Sequence, residues 1–395
     1  MKSKYLFLFC TCCLVLLSAC CKDNPDSPKK PSRTILIYLA ADNSLSGFVQ
    51  EDLVEMKEGV KSVDETNARL LVYVDDGSLP RLVELKKRNG KVEEQLVKSY
   101  GQRNSVGVAE TKEVFHDVFS NPEYQAESYG LVYWSHGDGW IPHTLPTSRW
   151  VGQDTGNGTY YMNISDLVSI LNDAPHFDFI LFDACFMQSI EVAYALRDFT
   201  DYYIGSPTEI PGPGASYDVL VPSMLTAKKG NVLAIADAYY KPYAAVYEGK
   251  YDGTNPWKAG VSICVLKSAE LQKLADVTKD VLLQNVVTLQ ELRSSVFDYD
   301  KRASINQHVG YYDMVQMMRL LSDNAGFAAW KQAYDAACID WQTTRLNCSG
   351  SAGMFSMEGS SGVSHYIPGP YTAAANAAYR STSWYEAAGL SLLGW

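Results

Sequence analysis

Positive charge is scarce in this 395-residue sequence: 34 lysines and arginines stand against 45 aspartates and glutamates, for a formal net charge of −11. That balance disfavours nucleic acid as a partner, because binding it depends on neutralising phosphates with basic side chains. Histidine is rarer still, with six in the chain, and none lies at the spacing of a His-Glu-x-x-His helix or another metal-ligand pattern. Beyond residue 21 there is no Cys-x-x-Cys pair, so no zinc or dithiol motif is expected. After residue 17 no apolar run is long enough to span a bilayer, and no internal repeat or long linker follows residue 33. Charged residues make up only 20% of the chain and hydrophobic ones 47%, which excludes disorder and leaves ample material for a large core.

The N-terminus is organised differently. Lys2 and Lys4 precede an apolar run from Tyr5 to Leu17, and Ser18, Ala19 and Cys20 follow. A basic start, an apolar stretch too short to span and small residues at its end describe a secretory signal. Leu17-Ser18-Ala19-Cys20 also resembles a bacterial lipobox, in which the cysteine is acylated and becomes the new N-terminus; ordinary cleavage without a lipid is the alternative. Residues 1–20 are therefore read as a lipoprotein signal peptide, and 21–33, rich in Pro, Ser, Lys and Asp, as a flexible tether. The expected location is the cell envelope, with the chain anchored to a bacterial membrane through Cys20, most simply at the outer membrane or cell surface. Loss of Lys2 and Lys4 makes the mature chain more acidic.

Processing leaves Cys21, Cys185, Cys264, Cys338 and Cys348. A core of this size needs no disulfide scaffold. Cys338 and Cys348 could pair in an oxidising compartment, although small buried thiols fit the pattern as well. Each cysteine must then be explained by its surroundings.

Short apolar runs at residues 34–39, 69–74, 130–134, 177–182 and 202–205 read as buried strands, and amphipathic segments at 49–60, 111–119, 165–171 and 188–198 as helices between them. Residues 81–85 and 91–97, separated by Asn89-Gly90, read as a hairpin. Alternation of this kind predicts an α/β fold with a mainly parallel sheet covered on both faces. Residues 34–230 are expected to form the catalytic core. Residues 231–395 are expected to continue the same α/β body with a helical elaboration, including helices at 232–247, 269–283 and 311–321 and strands at 260–266 and 362–367.

Two of these strands end in reactive side chains: Trp134-Ser135-His136-Gly137 and Phe182-Asp183-Ala184-Cys185. Parallel strands with right-handed crossovers bring such ends to one rim of the sheet. An imidazole beside a thiol raises the thiolate population or removes the proton during attack. The developing oxyanion then requires backbone donors, for which the Gly137 amide and the Cys185 amide are candidates. Taken singly, a histidine after a strand or a cysteine in an apolar block is usually structural; the pairing of His136 and Cys185 carries the functional reading.

The chain resembles the clostripain family, within the caspase–gingipain–legumain group of cysteine peptidases. The resemblance rests on an apolar strand ending in His136-Gly137 and another ending in Ala184-Cys185, with Trp134-Ser135-His136-Gly137-Asp138-Gly139-Trp140 and Asp183-Ala184-Cys185-Phe186-Met187-Gln188-Ser189-Ile190-Glu191 around them. Tyr38-Leu39-Ala40-Ala41-Asp42-Asn43 and the segment from Gly205 to Gly212 add to it. It implies a caspase-like sheet, a catalytic dyad of Cys185 and His136, an acyl-enzyme intermediate, and cleavage of protein or peptide substrates after basic residues, Arg before Lys. By the same resemblance Asp183 lies at the base of the pocket for the basic side chain; a bidentate pair with guanidinium would suit it, and capping of a helix after Cys185 is its structural alternative. Glu209 is a second, weaker candidate. No cofactor is required; calcium is associated with clostripain, but no EF-hand loop is present.

Residues 141–163 are rich in Pro and Gly, and Arg149 is their basic residue. Composition and resemblance together predict that the chain is made as a zymogen and cuts itself after Arg149. The rival readings are a surface lipoprotein that kept the fold and binds peptide or glycan without turnover, and a cysteine-dependent acyltransferase or amidase.

Overall fold

A computed structural model describes residues 30–395 apart from 65, 142–149, 252, 302–309 and 371–372. The expected lipidation site Cys20 and the expected cleavage site Arg149 lie outside the described residues. From Pro31 onwards the chain forms one compact unit.

Its centre is a nine-stranded sheet. The chain enters through β1 (Thr34–Ala40), crosses over by α1 (Val49–Ser62) to β2 (Arg69–Asp75), then turns back through β3 (Arg81–Arg88) and β4 (Lys91–Ser99). Asn89 and Gly90, both at positive φ, make the tight β3–β4 turn that their sequence predicts. After α2 (Val108–Phe119) come β5 (Tyr129–Trp134), a hairpin of β6 (Val151–Asp154) and β7 (Tyr160–Met162), α3 (Ile164–Leu171), β8 (Phe177–Asp183), α4 (Ile190–Leu196) and β9 (Thr200–Gly205). Next are α5 (Tyr217–Thr226), α6 (Leu233–Val246), β10 (Ser262–Lys267), α7 (Leu271–Val281) and α8 (Leu289–Ser295). The chain ends with β11 (Tyr311–Asp313), α9 (Met314–Leu321), α10 (Asn324–Ala337), β12 (Cys338–Thr343), β13 (Leu346–Ser349), β14 (Gly353–Ser356), β15 (Ser364–Tyr366), α11 (Ala373–Tyr379) and α12 (Ser383–Ala387).

The sheet order is β12-β10-β9-β8-β5-β1-β2-β3-β4. The five strands from β9 to β2 are parallel, and the outer pairs on both sides are antiparallel. Side chains alternate between two cores, as strands buried on both faces require. Leu36, Tyr38, Leu131, Tyr133, Ile180 and Phe182 point to one face. Ile35, Ile37, Val132, Trp134, Phe179 and Leu181 point to the other, packed with residues of α1, α5 and α6. On the first face Tyr38 stacks between Tyr73 and Tyr133, with ring centroids 4.4 and 5.4 Å away.

One expectation is corrected here. Residues 311–313 are not the first turn of a helix but a strand paired with β15; the Asp313 side chain accepts from the Gln316 amide and so starts α9 at Met314. The C-terminal part continues the α/β body as expected, and β12, which the sequence pattern did not single out, completes the sheet beside β10.

Candidate active site

The functional side chains rise from the carboxyl ends of three neighbouring parallel strands, β1, β5 and β8. Trp134 and Asp183 are register partners, so His136 and Cys185 each lie two residues past the same level of the sheet. Between them Gly137 is packed tightly: a Cβ there would come within 2.8 Å of the Ala184 Cβ and of the Cys185 carbonyl oxygen. Only glycine lets the histidine loop approach the cysteine backbone this closely.

The histidine loop is held from its other side by β6. The Gly152 amide donates to the His136 carbonyl at 2.9 Å and the Asp138 amide to the Trp150 carbonyl at 2.7 Å, flanking the Gly137–Val151 bridge. In that antiparallel pattern the central pair is not hydrogen-bonded to one another, so the Gly137 N–H turns away from β6. This amide and that of Cys185 are the two candidates for oxyanion donors that the sequence suggests. Cys185 is not at a helix start, however. Four residues separate it from α4, whose N-cap is Ser189, and the Ser189 hydroxyl accepts from the Val192 amide at 3.3 Å. Asp183 is therefore not the cap of that helix.

The residue after the nucleophile candidate is strained. Phe186 has φ of 58°, unusual for a bulky side chain. Its amide donates to the Thr208 carbonyl at 3.0 Å, and its buried ring stacks on Tyr311 with centroids 5.8 Å apart. Tyr311 also donates to the Asp138 carbonyl at 3.0 Å, and its hydroxyl occupies the space that a side chain at Gly139 would fill. One tyrosine from the C-terminal half thus braces both reactive loops.

His136 is half-buried, and its Nε2 lies 2.8 Å from the Ser44 hydroxyl. Burial lowers its pKa, so the ring is neutral at pH 7. Asn43 fixes the Ser44 loop by donating to the Ala40 and Gln153 carbonyls and accepting from the Leu45 amide. Sequence reasoning passed over Ser44; the available signal was its place just past β1, beside the end of β5. Among the described residues, His136 and Cys185 each hydrogen-bond elsewhere rather than to one another.

The Cys185 thiol is half-buried, and the Ile210 amide donates to its sulfur at 3.3 Å. Burial pushes its pKa up to about 12; the negative charges of Glu209, Asp138 and Asp183 add to the rise, and the Ile210 bond opposes it. The thiol is therefore protonated in this state.

The two acidic candidates sit differently. Asp183 is 1% exposed, below the strand end, with Oδ1 accepting from Tyr239 at 2.7 Å and Oδ2 from Tyr217 and the Ala215 amide, each at 2.9 Å. Burial pushes its pKa up to about 6 against the pull of those three bonds. Glu209 instead lines a cavity of about 160 Å³ with Ile210, Pro211, Tyr251, Pro256 and Cys348. Its carboxylate is steadied by the Ser349 hydroxyl at 3.0 Å and the Gly350 amide at 2.7 Å. Since Ile210 touches the Cys185 sulfur, this cavity adjoins the nucleophile candidate. Among the described residues, no group of three or more His, Cys, Asp or Glu side chains is placed to hold a metal ion, and no helix is long and apolar enough to cross a membrane.

Comparison with known proteins agrees with this fold. A secreted C11 cysteine protease from Bacteroides thetaiotaomicron, solved with an irreversible peptide inhibitor, is 46% identical with a TM-score of 0.83, over 91% of this chain and 99% of that one. An inactive zymogen C11 protease from Parabacteroides distasonis is 32% identical with a TM-score of 0.77, over 92% and 99% of the two chains. Clostripain from Hathewaya histolytica is 28% identical in an alignment of 225 positions that covers 48% of this chain and 41% of the clostripain, so less than half of that protein is matched. The clostripain family model matches residues 37–386, and the chain accordingly belongs to the clostripain family of cysteine peptidases.

Proposed function

We propose that the chain is an exported, lipid-anchored cysteine endopeptidase that cleaves after basic residues, with Cys185 as nucleophile and His136 as general base. The observation that carries this reading is the shared register of His136 and Cys185, with Gly137 packed against the cysteine backbone.

The protonation states favour proton removal during attack over a preformed ion pair, because the thiol is raised and the imidazole is lowered. Ser44 bears on which ring nitrogen acts. If the Ser44 oxygen accepts from Nε2–H, Nδ1 is the bare base; that is the tautomer the mechanism requires. Sγ attacks the scissile carbonyl carbon as Nδ1 takes the thiol proton, and the oxyanion accepts from the Gly137 and Cys185 amides. The imidazolium returns the proton to the leaving amine, and water then hydrolyses the thioester.

The acidic surroundings support basic specificity. Glu209, Asp138 and Asp183 all raise the Cys185 pKa, and a field that penalises a thiolate favours a cationic substrate side chain. Asp183 was expected to hold the guanidinium directly. Its oxygens already have three protein donors, so we assign it the charge beneath the pocket and assign contact to Glu209, which faces the cavity. The pocket needs no metal in this proposal, and dialysis against a calcium chelator should leave turnover unchanged.

Self-processing after Arg149 belongs to the same proposal. Arg149 is outside the described residues, but the residue that would become the new N-terminus is not. The Trp150 ring lies edge-on to His136, with centroids 6.5 Å apart, and this proximity supports cleavage just before Trp150. A purified wild-type chain should split into two chains, the second starting at Trp150, while Cys185→Ala stays whole. Export and the anchor at Cys20 rest on the N-terminal sequence, and a similar protein is described as secreted.

The test of the whole reading is turnover of fluorogenic peptides that differ only at the residue before the scissile bond. Arg and Lys substrates should be cleaved and neutral or acidic ones spared. Equal turnover across the panel, or none after processing, would overturn it.

A further inference from the structure

Two cysteines that the peptidase reading does not use lie against each other. Cys264, in the middle of β10, is fully buried, and Cys338, the first residue of β12, is half-buried. Their sulfurs are 3.5 Å apart. The strands are antiparallel, with Cys264 opposite Trp341 and Cys338 opposite Leu266, and a bulge at Ile339 lies between these two pairs. Cys264 and Leu266 share a face of β10, so Cys338 is the diagonal neighbour of Cys264 on that face, and the bulge increases the local twist. Both are free thiols here, as are Cys185 and Cys348.

We propose that Cys264 and Cys338 are a disulfide-forming pair, oxidised by thiol–disulfide exchange once the chain reaches an oxidising compartment. The expected alternative pair, Cys338 with Cys348, is not what the fold brings together: Cys348 is on β13 and lines the cavity beside Glu209. The inference needs export but not the peptidase mechanism, so the two can fail separately.

The exchange is directional. Cys338, the more exposed thiol, loses its proton and attacks a donor disulfide R–S–S–R, releasing one thiolate R–S⁻ and leaving a mixed disulfide. Cys264 gives its proton to solvent and attacks the Cys338 sulfur, expelling the second R–S⁻. Two thiols are oxidised, and one donor disulfide is reduced to two thiols. The hydrogen bond from Cys264 lowers the Cys338 pKa, which favours Cys338 as the first attacker.

The position of the pair gives the bond a role. Cys338 directly follows α10, its amide donating to the Tyr334 carbonyl, and it opens the edge strand of the sheet. Between the two cysteines run α7 to α10. A disulfide would therefore staple the C-terminal helices and the edge strand to the catalytic sheet and close a loop of roughly 75 residues. Loops of that length lose substantial unfolded-state entropy when cross-linked. Gln188, three residues after the nucleophile, reaches Cys264 from the neighbouring turn, so the staple sits under the reactive rim without entering it.

The experiment uses the full chain, reduced, then incubated with oxidised glutathione as the donor, denatured, alkylated and mapped by mass spectrometry. A peptide pair joined through Cys264 and Cys338, with Cys348 alkylated, is the expected result. The oxidised protein should melt about 5 °C or more above the reduced one. Cys338→Ala should abolish that difference, while turnover per molecule at 25 °C stays within about twofold. Alkylation of both positions after oxidation, a mixed disulfide persisting on Cys338, or a Cys338–Cys348 link would each overturn the proposal. The mapping on the wild-type chain is decisive even if a variant fails to fold.

Discussion

Asp178 and Asp183 lie five residues apart on β8, at opposite ends of one buried strand, and they are satisfied in different ways. Asp178 is paired with the Arg33 guanidinium, which also donates to the Met224 and Ala227 carbonyls and to Ser128. Asp183 meets two phenols and an amide, and among the described residues no Lys or Arg pairs with it. The lower end of the sheet is thus closed by an internal cation, whereas the upper end collects Asp183, Glu209 and Asp138 around a neutral thiol. A buried carboxylate with a permanent partner serves stability. Asp183 has no cationic partner among the described residues, and in the function proposed above a basic substrate side chain supplies that charge from outside.

The sharpest contrast comes from disabling each end in turn. At the upper end, Cys185→Ala and His136→Ala should each lower kcat/KM by at least about 10⁴-fold with thermal stability unchanged, and the double variant should be little worse than either. At the lower end, Arg33→Ala strands a buried carboxylate and should cost about 3–5 kcal/mol in a denaturant titration, while the folded fraction keeps its turnover. Loss of turnover without loss of stability in Arg33→Ala would erase the distinction between the ends.

Specificity should respond less steeply. Glu209→Gln is expected to lower Arg turnover about 10–100-fold relative to a neutral substrate, and Asp183→Asn by a smaller factor, because only Glu209 faces the cavity. The preference for Arg should also grow as pH rises through about 6, where the raised Asp183 carboxyl ionises. Burial lowers the His136 pKa, and loss of its proton acts on Arg and neutral substrates alike, so the ratio between them reports on Asp183. If Asp183→Asn had the larger effect, the carboxylate beneath the pocket would be the direct contact.

The smallest effect concerns the third loop. Ser44→Ala should lower kcat about threefold to tenfold with KM little changed, because it frees the imidazole to adopt the unproductive tautomer. Rescue by Ser44→Thr would separate orientation of the ring from simple packing.

How much of this was legible beforehand follows from what each residue's neighbours contribute. The strands leading to His136 and Cys185 are continuous apolar runs, and both residues sit just past parallel strand ends, so the candidate pair could be picked out from local pattern together with the family resemblance. Ser44 could not, because its meeting with His136 depends on β1 lying next to β5. Tyr311 is further still from legibility: its packing against Gly139 and Phe186 joins segments more than a hundred residues apart. The strand β12 hid for a different reason, since all six of its residues are half-buried and the sequence Cys-Ile-Asp-Trp-Gln-Thr has no inside–outside alternation to betray an edge. The state of Asp183 was also beyond pattern, because Tyr217 and Tyr239, which occupy its oxygens, come from two later helices.

The central claim is that Cys185 is the nucleophile of a cleft built to receive a cation. A thiol-reactive peptidyl ketone ending in Arg, and its twin ending in Glu, test both halves at once when the labelled protein is digested and mapped by mass spectrometry. The account predicts a single adduct on Cys185 from the Arg reagent, none from the Glu reagent, and no adduct from either once His136 is replaced by alanine. Labelling of Cys348 in place of Cys185, or equal labelling by the two reagents, would contradict it.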